Sequence, residues 1–210
     1  PDDEEAYSFE GFATDLLSLL DVVGWGSAVA LGHSMGGMVV QTAALRAPAR
    51  FEALVLMDTS HRTLRADPGV IDLAVGIART DGMAAVMAAQ AAVAGDQPAS
   101  AARVLAGRPG YQEFNERKML GSSPAMYAAM LRAITDTVGG LDRLPLLAGI
   151  TVPTLVIVGE EDAPFVKPAR RMAEAIPGAE LAVIPAAAHS PQFENPEQWW
   201  KVLSTFLARV

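Results

Sequence analysis

The sequence lacks cysteine entirely among its 210 residues. This absence excludes disulfides, thiolate-bound metals and a cysteine nucleophile, and it favours a reducing compartment, so we expect a cytoplasmic protein. The sequence also lacks a basic surplus, since 16 Lys and Arg stand against 24 Asp and Glu, for a net charge of −8. Because phosphate binding requires clustered cations, nucleic acid is not an expected partner.

Long hydrophobic runs are missing as well. Apolar runs such as residues 53–57 and 154–158 have the length of a strand and are far too short to span a bilayer. We therefore expect no membrane partner. Hydrophobic residues make up 51% of the chain and charged residues 19%, which is typical of a folded globule with a sizeable core.

Strand and helix patterns alternate at both ends of the sequence. Short apolar runs predict strands at 27–31, 53–57, 154–158 and 180–184. Helical spacing or composition predicts helices at 9–23, 35–47, 166–175 and 196–208. We predict an α/β fold with a parallel sheet, in which the uniformly apolar strand 27–31 is buried on both faces.

The middle of the chain has a different character. Between residues 61 and 147 only helical patterns occur, near 69–79, 82–94 and 123–138, and they are broken by Gly and Pro. We therefore predict a core domain formed by 1–60 and 148–210, with residues 61–147 inserted as a helical cap. Methionines and aromatics of this stretch either line an apolar pocket or pack the cap helices, and we favour packing.

A candidate nucleophile lies between the first strand and the helix that follows it. Residues 32–36 read Gly-His-Ser-Met-Gly, the G-x-S-x-G pattern of a strained strand-to-helix turn that exposes its serine. Glycines on both sides let the backbones pass closely, and the Met35 amide at the helix N-terminus is placed to donate to an oxyanion. Ser34 is thus the predicted nucleophile; the alternative is a glycine-rich turn with an idle serine.

The candidate acid follows the third strand. Asp162 lies at the carboxyl end of strand 154–158, on the edge where parallel sheets place their sites. Glu160, Glu161 and Asp58 compete for this role, and residue chemistry alone does not choose among them. Its position after the strand favours Asp162.

The candidate base is one of only three histidines. His189 lies just beyond the last strand, where a general base next to Ser34 is needed. His33 precedes the serine, so its side chain leaves the backbone in another direction, and we interpret it as structural. His61 begins the predicted cap, either lining the pocket or lying on the surface.

These three residues carry a resemblance to a known family. Their order, Ser34, Asp162, His189, resembles that of the α/β-hydrolase superfamily. Three stretches resemble its nucleophile turn, acid strand and histidine loop: GHSMGG at 32–37, PTLVIVGEEDAP at 153–164 and AAAHSPQFENPEQW at 186–199. Ala188 replaces the glycine that often precedes the family's histidine. The resemblance also implies that the helical insertion is a lid that shapes the substrate pocket.

The resemblance implies a carboxylesterase-like serine hydrolase that cleaves an ester, lactone or related carbonyl bond of a small apolar molecule. A serine at position 34 excludes the branches of the family that use aspartate there. No metal or organic cofactor is implied. Three alternatives stay open: an acyltransferase, a perhydrolase-type haloperoxidase, and a ligand-binding protein with a slow or silent triad.

One departure from the family concerns the sheet. The family has earlier strands and a loop that supplies the second oxyanion amide, and neither is present in these 210 residues. We therefore expect an N-terminal segment or a companion chain that completes the sheet beside strand 27–31 and provides the second donor.

Overall fold

A four-stranded parallel sheet forms the centre of the computed structural model, which describes residues 2–93, 95–135, 140 and 142–210. The strand order is β1-β2-β3-β4. The strands are β1 Ala28–His33, β2 Phe51–Met57, β3 Thr154–Gly159 and β4 Glu180–Ile184. The predicted α/β fold class is confirmed, and each strand begins and ends within two residues of its predicted bounds.

Ten α-helices are found in the described residues. They are α1 Phe9–Val22, α2 Met35–Arg46, α3 Pro68–Val93, α4 Ala99–Gly107, α5 Tyr111–Leu120, α6 Pro124–Ile134, α7 Leu144–Leu147, α8 Ala163–Ala175, α9 Pro191–Glu194 and α10 Pro196–Leu207. Non-helical dihedrals at Gly82 (φ 77°) interrupt α3, which matches the two helices predicted there. Residues 94 and 136–138 of the predicted helices lie outside the described residues.

The sequence patterns missed the four-residue helices α7 and α9, and also the longer α4 and α5. The helices α4 and α5 are delimited by Pro98 and Pro109, at which the sequence pattern indicates only breaks. In α5 no residue is buried, so it carries no apolar stripe for a periodicity search to find. Within the described residues of 61–147, no strand longer than the single bridge Arg62–Asp142 is found.

Alternating side chains of the central strands supply two cores. On one face, Leu54, Leu56, Val156 and Val158 pack with side chains of α1, α2 and α8. On the other face, Val55, Met57, Leu155 and Ile157 pack with Leu203 and Phe206 of α10. Strands buried on both faces explain why β2 and β3 have no polar alternation in the sequence.

β1 departs from this pattern because it lies at the edge of the sheet. Its Val29 and Leu31 are 38% and 43% exposed. These side chains share the face of Ala53 and Val55, with which they are in register, but α10 packs on β2, β3 and β4. The prediction that this strand is buried on both faces is therefore wrong for the described residues. Among those residues, no helix is both long enough and apolar enough to cross a membrane.

Burial in the sheet predicts unequal costs for two leucine truncations. Leu56 of β2 is fully buried, whereas Leu73 of α3 is 65% exposed. We expect Leu56→Ala to lower the free energy of unfolding by about 2–5 kcal/mol and Leu73→Ala by less than about 1 kcal/mol. Urea denaturation of the two variants measures the difference. Equal losses would contradict the placement of Leu56 in the core.

Candidate active site

Ser34 occupies a strained turn between β1 and α2. Its φ of 55° lies in the left-handed region that serine rarely adopts, with ψ at −122°. Two hydrogen bonds hold it there: the Ser34 amide donates to the Met57 carbonyl at 3.0 Å, and the Thr59 hydroxyl donates to the Ser34 carbonyl at 2.6 Å. Such strain persists only where the surroundings fix it, and it is common at functional sites.

The glycines around Ser34 are not equally constrained. A Cβ atom on Gly32 would lie 2.5 Å from the Gly36 carbonyl oxygen, and one on Gly37 would lie 2.5 Å from the Thr59 side chain. A Cβ atom on Gly36 would meet nothing within 4 Å. Close packing therefore requires glycine at 32 and 37, whereas the predicted need for glycine at 36 has no steric basis in the described residues.

Ser34, His189 and Asp162 form a continuous hydrogen-bonded chain. His189 Nε2 lies 2.9 Å from Ser34 Oγ, and His189 Nδ1 lies 2.8 Å from Asp162 Oδ2. A carboxylate only accepts, so Nδ1 carries the proton and Nε2 accepts from the serine hydroxyl. Asp162 is buried at 6% exposure, while the His189 side chain is 41% exposed. The three residues predicted from strand ends thus come together.

The turn that carries Asp162, residues 159–162 (the acid turn), packs with its backbone against the backbone of the histidine loop. A Cβ atom on Gly159, the last residue of β3, would lie 2.0 Å from the Ala188 carbonyl oxygen. The Phe165 ring of α8 packs on the His189 ring with centroids 4.9 Å apart. Only glycine fits at the end of this strand, and its fit brings His189 beside Asp162.

Glu194 is a buried residue that the sequence patterns did not single out. Its Oε2 accepts from the Ala188 amide at 2.5 Å and from the Ser190 amide at 3.2 Å. The two amides flank His189, so a single carboxylate fixes both ends of the loop that carries the imidazole. No local sequence pattern marks this role, because it depends on the burial of Glu194 and on its two amide partners.

The two rival glutamates have other partners. Glu160 Oε2 accepts from the Ala186 amide at 3.3 Å. Glu161 Oε2 accepts from the Ser100 amide at 3.0 Å and from its hydroxyl at 2.8 Å. The Ser100 backbone N–H lowers the pKa of Glu161, and the hydroxyl adds to this effect. Neither glutamate has His189 as a hydrogen-bond partner.

Asp58, the third rival, lies near both Asp162 and His189, but it is Asp162 that is hydrogen-bonded to the imidazole. It is fully buried, and its Oδ1 accepts from the Gly159 amide at 2.8 Å. Burial raises the pKa of Asp58 to about 8, and the neighbouring Asp162 contributes to the shift. Asp58, Asp162 and His189 have facing atoms within 4.8 Å of one another. Hydrogen bonds already engage Asp162 and His189 there, so we do not interpret the cluster as a metal site.

The other two histidines have structural partners. His33 Nε2 donates to the His189 carbonyl at 2.6 Å, and burial lowers the pKa of His33. This hydrogen bond ties the end of β1 to the histidine loop, as expected of a structural residue. His61 is fully buried and binds Asp142 Oδ1 through Nδ1 at 2.8 Å, so the alternative of a surface position for His61 is wrong.

A cavity of about 300 Å³ lies beside His189. Residues of the helical insertion and of the histidine loop line it: Gln97, Pro98, Ala101, Leu105, Tyr111, Asn115, Ala188, His189, Ser190 and Glu194. Of the aromatics and methionines considered from sequence, Tyr111 lines this cavity. Met83 and Met130 are buried in clusters that pack the insertion, which is the packing role we favoured.

Helix α4, within residues 61–147, is hydrogen-bonded to the turns that carry Asp162 and His189. Ser100, at its start, binds Glu161 of the acid turn. Arg103 donates to the Ala186 carbonyl of the histidine loop at 2.9 Å. The insertion is thus attached at the carboxyl edge of the sheet, directly beside the Ser34–His189–Asp162 chain.

The structure is that of an α/β-hydrolase-like protein. A serine lies on a strained turn of a parallel α/β sheet, and an aspartate and a histidine that follow later strands form a hydrogen-bonded chain with it. The sequence matches the alpha/beta hydrolase family over residues 1–202, and the chain belongs to this family. Its relatives include named hydrolases, esterases and lactonases, which support a hydrolytic enzyme.

Three similar proteins illustrate the relationship. The 2-(acetamidomethylene)succinate hydrolase of Mesorhizobium japonicum is 28% identical over 214 residues, covering 97% of this chain and 72% of the relative. The structure of a hydrolase from Pseudomonas aeruginosa PA01 is 29% identical with a TM-score of 0.78, covering 96% and 72% of the two chains. The enol-lactonase of Burkholderia xenovorans LB400 is 28% identical with a TM-score of 0.71, covering 96% and 74%.

The contacts of Glu194 generate a prediction about the histidine loop. In Glu194→Ala the amides of Ala188 and Ser190 lose their buried, charged acceptor, which costs about 1–3 kcal/mol of stability per group left unpaired. We expect a lower Tm and faster amide hydrogen exchange at 186–190. Glu197→Ala, at an exposed position of α10, is the matched control. If both variants leave exchange of this loop unchanged, Glu194 does not hold it.

Proposed function

We propose that this protein is a serine hydrolase that cleaves an ester, lactone or related carbonyl bond of a small apolar substrate through an acyl intermediate on Ser34. The observation that carries the proposal is the hydrogen-bonded chain from Ser34 Oγ through the His189 imidazole to Asp162. The hydrolase and enol-lactonase relatives support the same class of reaction. The cavity beside His189 has the size for a small molecule.

The first half of the reaction forms the acyl-enzyme. His189 Nε2 takes the hydroxyl proton as Ser34 Oγ attacks the carbonyl carbon, and the carbonyl oxygen becomes an oxyanion. Met35 is the first residue of α2, where backbone amides lack an intrahelical acceptor, so its N–H donates to that oxyanion. The protonated imidazole then gives its proton to the leaving oxygen as the bond to the carbonyl carbon breaks.

The second half releases the acid. His189 Nε2 takes a proton from water, the resulting hydroxide attacks the acyl carbon, and the imidazolium returns the proton to Ser34 Oγ as the acyl–oxygen bond breaks. Asp162 keeps the imidazole in the Nδ1–H tautomer and stabilises its positive charge throughout. The half-exposed His189 side chain gives water a path to the acyl-enzyme.

Loss of the Ser34 hydroxyl tests the proposal. We expect Ser34→Ala to fold normally and to lower kcat/KM for a p-nitrophenyl ester by about 10³-fold or more, because no acyl-enzyme forms. Labelling by a fluorophosphonate, located by mass spectrometry, is expected on Ser34 and absent in the variant. Ser27→Ala, whose hydroxyl binds Glu52 at the surface, is the control.

The same assay separates the alternatives. Labelling of Ser34 without ester turnover would overturn hydrolysis in favour of a ligand-binding protein with a silent triad. Faster ester consumption with an added alcohol or with peroxide than with water alone would replace hydrolysis by acyl transfer or perhydrolysis. Full activity of Ser34→Ala would overturn the nucleophile assignment.

We also propose that a strand from an N-terminal segment or a companion chain pairs with the free edge of β1. No strand pairs with this edge among the described residues, and the exposed Val29 and Leu31 add apolar surface whose burial contributes about 25 cal/mol per Å². The same segment would supply the second oxyanion donor, because removal of one such donor typically costs about 10²–10³ in rate.

Hydrogen exchange of β1 tests the pairing in the purified active protein. We expect slow exchange of the amides in 28–31 that point away from β2, together with an intact mass above 22.1 kDa or a second mass for a companion chain. A monomeric, active species of 22.1 kDa with fast exchange at those amides would contradict the pairing.

A further inference from the structure

A second buried carboxyl group lies behind the acid of the proposed triad. Asp58 follows β2 at a positive φ of 44°, and its side chain is fully buried. Its Oδ1 accepts from the Gly159 amide, whereas Oδ2 is buried without a hydrogen-bond donor among the described residues. A carboxylate oxygen of Asp162 lies within 4.8 Å of one of Asp58, so the two side chains face one another.

Two facing carboxylates in a buried site do not both ionise. Each carboxylate oxygen only accepts hydrogen bonds, so Asp58 and Asp162 repel one another unless a proton lies between them. The donor N–H of His189 stabilises the charge of Asp162. Asp58 has one backbone donor and an unsatisfied oxygen, so the proton belongs on Asp58.

The charged surroundings of Asp58 point the same way. The carboxylates of Asp162 and Glu194 face it and disfavour a further negative charge, and the His189 imidazole, which is hydrogen-bonded to Asp162, also has a ring nitrogen within 4.8 Å of Asp58. Burial, the larger cause, and these two carboxylates together raise the pKa of Asp58 to about 8. At neutral pH the side chain is therefore a carboxylic acid with a proton to donate.

We propose that Asp58 is a positioning residue that keeps a proton on Oδ2 and donates a hydrogen bond through it to Asp162. This hydrogen bond fixes the carboxylate that orients His189. Its effect on catalysis rests on the proposed function, whereas the bound proton does not. A proton on Asp58 Oδ2 gives this buried oxygen a hydrogen-bond partner and removes the repulsion between the two carboxylates. Asp58 touches neither the substrate nor Ser34, and it acts only through Asp162.

This role gives the activity an alkaline limit. Above about pH 8 Asp58 loses its proton, and the hydrogen bond to Asp162 becomes a repulsion that moves Asp162 from His189. Asparagine at position 58 reproduces the protonated acid, because its oxygen accepts from Gly159 and its NH₂ donates to Asp162, yet it does not ionise. Alanine at position 58 removes the donor altogether.

The bound proton also affects stability, with a sign that can be derived. The pKa of Asp58 is raised from 3.8 in the unfolded chain to about 8 in the folded one, so between these values only the folded state holds the proton. Folding then takes up a proton, and stability from this group is lost as the pH rises from about 4 to about 8. Asp58→Asn has no such dependence.

The experiment compares Asp58→Asn and Asp58→Ala with the wild type, with Asp162→Asn as the inactive reference and the exposed Asp15→Asn as the control. First, kcat/KM for a p-nitrophenyl ester is measured from pH 6 to pH 10. We expect Asp58→Asn to stay within about fivefold of the wild type at pH 7 and to lose the fall above pH 8. Asp58→Ala is expected to lose more than tenfold at pH 7, and Asp162→Asn about 10³-fold or more.

Second, Tm is measured from pH 5 to pH 9. The Tm of Asp58→Asn relative to the wild type is expected to rise by roughly 5 °C or more between pH 5 and pH 8 and to level off above. Asp15→Asn is expected to show no such trend.

Three outcomes would overturn the proposal: a Tm difference that does not change with pH, an alkaline limb that persists in Asp58→Asn, or loss of activity in Asp58→Asn equal to that in Asp162→Asn. Because the Tm measurement requires no turnover, it tests the bound proton even if the proposed hydrolase activity fails.

Discussion

The parallel alignment of β1, β2 and β3 is the constraint on which the site depends. Because parallel strands end at a common edge, Ser34, Asp58 and Asp162 leave the sheet side by side although they are distant in the sequence. One hydrogen bond, from the Gly159 amide to Asp58 Oδ1, joins the ends of β2 and β3 directly. The acid turn, and through it the histidine loop, takes its position from this junction.

Backbone contacts, more than side-chain packing, transmit that position to His189. The carbonyl of Ala188 lies where a Cβ atom on Gly159 would be, and the His33 side chain donates to the carbonyl of His189 itself. Glu194 binds the amides on both sides. These contacts fix the backbone on both sides of the imidazole, whose Nε2 lies 2.9 Å from Ser34 Oγ.

The sequence was sufficient for the elements that follow a simple rule. Strands buried on both faces appear as unbroken apolar runs, and Ser34, Asp162 and His189 could be located because each lies within five residues of the end of a strand. The helices α4 and α5 could not, since short helices between prolines lack a long apolar period. Glu194 and Asp58 could not be assigned either, because what distinguishes them is burial and a particular partner, and neither property is local in sequence.

The burial of β1 was predicted wrongly for a similar reason, because it depends on neighbours that are not local in sequence. Its apolar run predicted burial on both faces, yet apolar composition reports only that a surface is suited to burial. Whether Val29 and Leu31 are covered depends on a neighbour that the run itself does not encode. The sequence pattern was similarly insufficient at Gly36. The motif has a glycine at this position, but the structure leaves space for a side chain there.

The attachment of α4 restricts how the helices of residues 61–147 can move relative to the sheet. Ser100 is bound to the acid turn and Arg103 to the histidine loop, so displacement of α4 breaks hydrogen bonds to two turns at the carboxyl edge at once. The position of α4 is therefore coupled to the turns that carry Asp162 and His189.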